Sequence, residues 1–346
     1  MIDWNLAGQV ARGVAGLQPS GNPEPFEAVA GPAAESERLV SAYTGLVPAE
    51  PLPAPEPVTR DAWIEANLRS IGSLLDPVAE RMGTKLGPVA AAGSALLAIE
   101  AGAVSGYLAG RVLGQYEFAV LEPSAPARLL FVAPNLGHAT TTLDADAEQL
   151  LRWVALHETT HALQFGGVPW LREHLAGIVF QLLSSLDVDP RSLLRLPDLS
   201  DLRGLVDRVR EGGLPFLAGG EERRAQLETA QAFMALLEGY AEHVMDAVGA
   251  ELLDDVGALR SAMDRRRQER SGLLRVVEKL IGLDLKLRQY ELGKAFCDGV
   301  VAREGIEGLN RVWSQPEALP THAELGDPAG WLARTERLGL GRGDVA

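Results

Sequence analysis

Leu156-His157-Glu158-Thr159-Thr160-His161-Ala162 spells an HExxH motif near the middle of the chain. On an α-helix, positions i and i+4 stack one above the other, so His157 and His161 can offer two imidazoles to one metal ion. Glu158 is turned by about 100° from His157 and borders the same face, where it can take a proton from a water polarised by the metal. The motif works only on a helix, and its surroundings predict one. Asp144 or Asp146 can cap the start, Leu150, Leu151, Val154, His157, His161 and Phe165 recur at helical spacing, and Gly166-Gly167 ends it. The stripe shared with Leu150, Val154 and Phe165 is apolar, which suits a site shielded from water. The three fixed letters arise by chance in roughly one chain in a hundred of this length.

Two histidines do not complete a site, because catalytic zinc takes three protein ligands and keeps a fourth position open. The extended pattern HExxHxxGxxH would need Gly at 164 and His at 167, where this chain has Gln164 and Gly167. An acid on a later helix is the other route, and Leu236-Leu237-Glu238-Gly239-Tyr240-Ala241-Glu242-His243-Val244-Met245-Asp246 supplies it. Phe233, Leu237, Tyr240, Val244 and Val248 form an apolar stripe there. Glu238 and Glu242 lie four apart on a neighbouring face, among Met234, Ala241 and Met245. Carboxylates in such company are costly to bury without a cationic or hydrogen-bonding partner. Elimination and environment favour Glu238 as the third ligand, with His243 and Glu242 as competitors on the same helix.

The pairing resembles the gluzincin class of metallopeptidases. The resemblance implies that Glu238 binds zinc and that an acid four residues on, Glu242, holds His157 by its other ring nitrogen. The second acid is Glu here, where that class more often has Asp. HETTHALQF followed by LEGYAEHVMD also resembles a bacterial zincin-like family of zinc-dependent metalloproteases and hydrolases, some of whose members are labelled as associated with deazaflavin coenzyme biosynthesis. The segments Ile2-Asp3-Trp4-Asn5-Leu6-Ala7 and Leu285-Lys286-Leu287-Arg288-Gln289-Tyr290-Glu291 extend the likeness over most of the chain. It implies a zinc ion and a hydrolase.

Composition agrees with a packed protein and narrows its partners. The 346 residues are 47% hydrophobic and 23% charged, and 47 acids against 32 Lys and Arg give a net charge of −15. Such a field repels phosphate backbones and anionic membrane surfaces, so neither nucleic acid nor a membrane is expected as a partner. The single cysteine, Cys297, excludes an intramolecular disulfide framework and reads as a core thiol. Met1-Ile2-Asp3-Trp4-Asn5 carries an acid where a secretory signal has basic residues, and a cytoplasmic location is expected. Gly106, Gly110 and Gly114 fall four apart in the most apolar region, which Glu100 and Arg111 interrupt. That spacing predicts close approach by another element within a soluble fold rather than a membrane span.

The expected fold is mainly α with a small β element (α+β) and zincin-like, the active-site helix following a short sheet. The proline run from Val47 to Pro57 reads as an extended connector between helices at 32–43 and 60–82. Val89 to Leu113 reads as a buried helix, and 117–121 and 128–133 as two strands joined by a proline-bearing turn. Helices are expected over 146–165, 170–183, 221–248, 252–270 and 273–304. The organisation is then an N-terminal helical segment and connector (1–58), a middle part with the small sheet and HExxH helix (59–167), and a helical lobe supplying the third ligand (168–346). Weaker candidates are His138, after the second strand and able to contact substrate, and Tyr290 with Arg288 as oxyanion stabilisers. The basic cluster from Arg260 to Arg270 reads as a solvated face, since Asp264 and Glu269 interleave. These readings converge on a zinc-dependent peptidase, with Glu158 as base and a peptide or protein as substrate. The rivals are a non-catalytic scaffold, against which the intact Glu158 argues, and an accessory protein of deazaflavin metabolism, for which no phosphate-binding glycine loop is present.

Overall fold

The computed structural model describes residues 2–86, 90–120, 125–184, 221–269 and 287–339. Helices dominate it, and a three-stranded sheet sits ahead of the HExxH helix. The first two helices are α1 (Trp4–Gly16) and α2 (Ala30–Thr44), followed by strand β1 (Pro55–Val58). Next come α3 (Arg60–Leu86), α4 (Ala90–Ala109), β2 (Gly114–Glu117) and β3 (Arg128–Val132). The remainder is α5 (Ala133–Leu143), α6 (Ala147–Gly167), α7 (Leu171–Ser184), α8 (Glu221–Leu252), α9 (Val256–Glu269), α10 (Leu287–Asn310) and α11 (Pro328–Arg337). Residues 185–220, between the helices expected over 170–183 and 221–248, and the start of the helix expected from Leu273 lie outside the described residues.

The sheet has the order β1-β3-β2, with β1 parallel and β2 antiparallel to the central β3. Three details depart from the sequence reading. The proline run does more than connect, since Pro55–Val58 pairs with Leu129–Val132 as an edge strand, the position that tolerates prolines lacking N–H donors. The strand expected over 117–121 begins three residues earlier, at Gly114, and ends at Glu117. The strand expected to run to residue 133 ends at Val132, and Ala133 and Pro134 open α5, where a proline's missing N–H costs nothing.

Strand β3 joins two cores by simple alternation. Leu129 and Phe131 point into the larger cluster with α2, α6, α8 and α10, while Leu130 and Val132 join the smaller one with α1, α3 and Val58. Asp146 caps α6 by accepting from the N–H groups of Glu148 and Gln149, and Asp144 closes α5 in the left-handed region at φ 51°. Leu150, Leu151, Val154, Leu156 and Leu163 then bury α6 along nearly its whole length. Cys297 is fully buried, as expected of a core thiol.

The glycine spacing serves a helix–helix contact. A Cβ on Gly102 would overlap the carbonyl oxygen of Ala7, and one on Gly106 that of Ala11, so α1 lies directly against α4. Gly110, just past the end of α4, leaves room for the Gln18 side chain, and Gly114 lies in β2. Among the described residues no helix is long and apolar enough to cross a membrane. Gly106→Ala is therefore expected to cost about 1–3 kcal/mol by overpacking. Gly13→Ala, on α1 with no heavy atom within 4 Å of the new methyl, should gain about 0.5–1 kcal/mol. Denaturant unfolding of the two variants checks both signs.

Candidate metal centre

His157 and His161 project from one face of α6 with their Nε2 atoms 3.2 Å apart and their rings perpendicular. Glu238, from α8, brings its carboxylate to the same point, at 3.8 Å from His157 Nε2 and 3.6 Å from His161 Nε2. One donor atom from each of the three lies within 4.8 Å of the others, and each residue is half-buried. Two nitrogens and an oxygen bound to one zinc at about 2.0–2.1 Å in a tetrahedron stand about 3.3–3.4 Å apart. The observed separations match that spacing with small adjustment, so the residues fit the ion.

Hydrogen bonds fix which nitrogen of His161 faces the centre. The amide nitrogen of Gln164 donates to the Leu237 carbonyl at 3.2 Å, so its Oε1 is left to accept from His161 Nδ1–H at 2.8 Å. His161 Nε2 then carries the lone pair that points inward. Gln164 is fully buried and ties α6 to α8 one residue before Glu238. In the sequence, position 164 excludes another ligand pattern. Its spacing of three from His161 was the available signal for this supporting role.

Glu158 is buried beside the two imidazoles, and the backbone N–H of Tyr116 on β2 donates to its Oε2 at 3.0 Å. Oε1 has no hydrogen-bond partner among the described residues. Burial pushes the carboxyl group above its ordinary value, and the neighbouring imidazoles and the Tyr116 N–H hold it down against that. Gly114 makes the approach of strand to helix possible, since a Cβ there would sit 2.6 Å from Glu158 Cγ and 2.7 Å from Val154 Cγ1. Neither Tyr116 nor Gly114 was singled out for the site from sequence.

The remaining candidates fall elsewhere. His243 has both ring nitrogens engaged, Nε2 with the Tyr43 hydroxyl at 2.8 Å and Nδ1 with Asp298 at 2.7 Å. Glu238 is thus the acid or imidazole of α8 that the geometry offers as third donor. Glu242 is buried and paired with Arg260 at 2.5 Å, and the same guanidinium contacts Asp246. Arg260 accordingly bridges α9 to α8 instead of lying on a solvated face. His138 lies within α5, half-buried, where burial and the charges of Arg60 and Arg266 lower its pKa. Tyr290 and Arg288 start α10, and their side chains lie outside the described residues.

A family model described as zincin-like metallopeptidase matches residues 2–332. A crystal structure from Chloroflexus aurantiacus, described as a candidate hydrolase with a novel fold, superposes with a TM-score of 0.75 at 34% sequence identity. The match covers 97% of this chain and 99% of that one. No functionally curated protein matches the chain. The chain belongs to the zincin-like metallopeptidase family.

Purified protein should carry about one zinc per chain by elemental analysis, and a variant with both His157→Ala and His161→Ala should carry none. Glu238→Ala should weaken zinc affinity severely, and Gln164→Ala by about 10- to 100-fold, as losses of a ligand's hydrogen-bond support do. Competition with a fluorescent zinc chelator reads both. Equal zinc affinity in wild type and Glu238→Ala would remove Glu238 from the ligand set.

Proposed function

We propose that this zincin-like chain is a zinc-dependent peptidase, in which His157, His161 and Glu238 hold the ion and Glu158 serves as the base. The observation that carries the reading is the convergence of three donor atoms of zinc-binding type beside a carboxylate that is not one of them. A zinc ion in this cage supplies Lewis acidity, making water a stronger acid and a carbonyl a better electrophile.

The chain's own residues do the rest. The Tyr116 N–H holds Glu158 by Oε2, so Oε1 is the oxygen that takes the proton from water as the carbonyl carbon is attacked. Burial raises the proton affinity of this carboxylate, which favours its accepting the proton before it returns it to the leaving amine. Glu238 leaves one net positive charge on the site, where a third imidazole would leave two. Gln164 keeps His161 from rotating away. The substrate proposed is a peptide or protein, and the location proposed is the cytoplasm.

Glu158→Gln keeps the side chain's shape and loses its basicity. It should bind zinc as the wild type does and lower peptide cleavage by at least about a hundredfold, the usual contribution of a positioned base. Mass spectrometry of a peptide library after incubation with each protein reads the loss. Undiminished cleavage by Glu158→Gln would place the base elsewhere.

A further inference from the structure

Arg172, the second residue of α7, has no acidic partner among the described residues. Its Nη2 donates to the Tyr116 hydroxyl at 2.5 Å, and its guanidinium lies 5.1 Å from the Phe118 ring centre and 5.9 Å from that of Tyr116. Its Nε–H is buried with no hydrogen-bond partner. No carboxylate among the described residues forms an ion pair with it, in a chain whose net charge is −15. It also stands in the first turn of a helix, where the partial positive charge of the free N–H groups repels a cation. The buried Nε–H, the missing counter-charge and the place in the first turn each cost stability, against which the Tyr116 hydrogen bond and the two rings contribute. A carboxylate brought in from outside supplies the missing counter-charge.

Location connects this cation to the metal centre. Tyr116 holds Glu158 with its backbone N–H and Arg172 with its phenol oxygen, so one residue spans from the base to the guanidinium. Phe165, one turn beyond His161 on α6, stacks with the Tyr116 ring at 6.1 Å and meets Phe118 at 4.7 Å. The rings wall one side of the guanidinium, which lowers the local dielectric and strengthens an ionic hydrogen bond formed there. Because the phenol oxygen accepts from Arg172, its own O–H remains a donor. The Tyr116 O–H and the Arg172 N–H groups thus present several donors to one anionic group.

We infer that Arg172, with the Tyr116 hydroxyl, binds a carboxylate of the substrate beside the zinc centre, and so selects peptides that are acidic near the cleaved bond or that end there. The inference rests on the proposed metal site. The two sources share one chemistry, a carboxylate from an acidic side chain or from the chain terminus.

Isothermal titration of the zinc-loaded wild type with three hydroxamate-capped dipeptides separates the outcomes. The probes are a Leu-Asp amide, its neutral Leu-Asn amide counterpart, and Leu-Asn with a free terminal carboxylate. One of the two carboxylate probes should bind roughly tenfold or more tighter than the neutral amide, as charge-assisted hydrogen bonds imply. Arg172→Gln should abolish that advantage, while Arg172→Lys, which keeps the charge and loses the fork, should retain part of it. A gain with Leu-Asp assigns acidic side chains, and a gain with the free terminus assigns chain ends. Equal affinity of the three probes for the wild type would overturn this inference alone, leaving Arg172 a packing residue. A protein that binds none of the three would overturn the metal-site reading and this inference with it.

Discussion

Three electron-rich atoms converge between α6 and α8, and the rest of the structure is arranged around that convergence. Two imidazole nitrogens stand 3.2 Å apart with a carboxylate within 3.8 Å of each, all half-buried. A divalent cation turns the arrangement from a cost into a source of stability, because burying a carboxylate is expensive without a positive partner. The surrounding polar groups hold the donors in place. Gln164 binds His161 on one side and the backbone of α8 on the other, so the two helices that carry the candidate ligands are joined at the site itself.

The small sheet matters through one edge. β3 is the shared wall of both cores, and it carries β2 alongside α6. The glycine at the start of β2 lets the strand approach the helix closely enough for a backbone N–H to reach the Glu158 carboxylate. Glu158, strand and aromatic cluster are consequently one connected unit, with Arg172 at its far end. Among the described residues no acid pairs with that guanidinium, which is the ground for proposing a carboxylate guest there.

Much of this was legible in the residues. The HExxH spacing, the Asp146 cap and the closing glycines predict α6 nearly to its ends, and the pair Glu238 and Glu242 marks the helix that meets it. Three kinds of feature were not. The contribution of Tyr116 comes from a backbone N–H, and no side-chain pattern announces which peptide group will face a carboxylate. β1 hides in a proline run because its partner, β3, is more than seventy positions away and parallel to it, so no local turn signals the pairing. Arg172 is one arginine among many in sequence, and only its surroundings, aromatic rings without an acid, set it apart. The weighing of His243 against Glu238 also needed the fold, since Tyr43 and Asp298 come from two other helices to occupy the histidine.

The central claim is that α6 and α8 jointly cage one zinc ion. Diffraction from crystals grown without chelator, recorded on both sides of the zinc absorption edge, tests it most directly. The account predicts a single anomalous peak at about 2.0–2.2 Å from Nε2 of His157, Nε2 of His161 and a carboxylate oxygen of Glu238, with Glu158 outside the ligand set. A peak bound by His243 with Glu238 turned away, or no zinc between α6 and α8 in zinc-supplemented crystals, would contradict it.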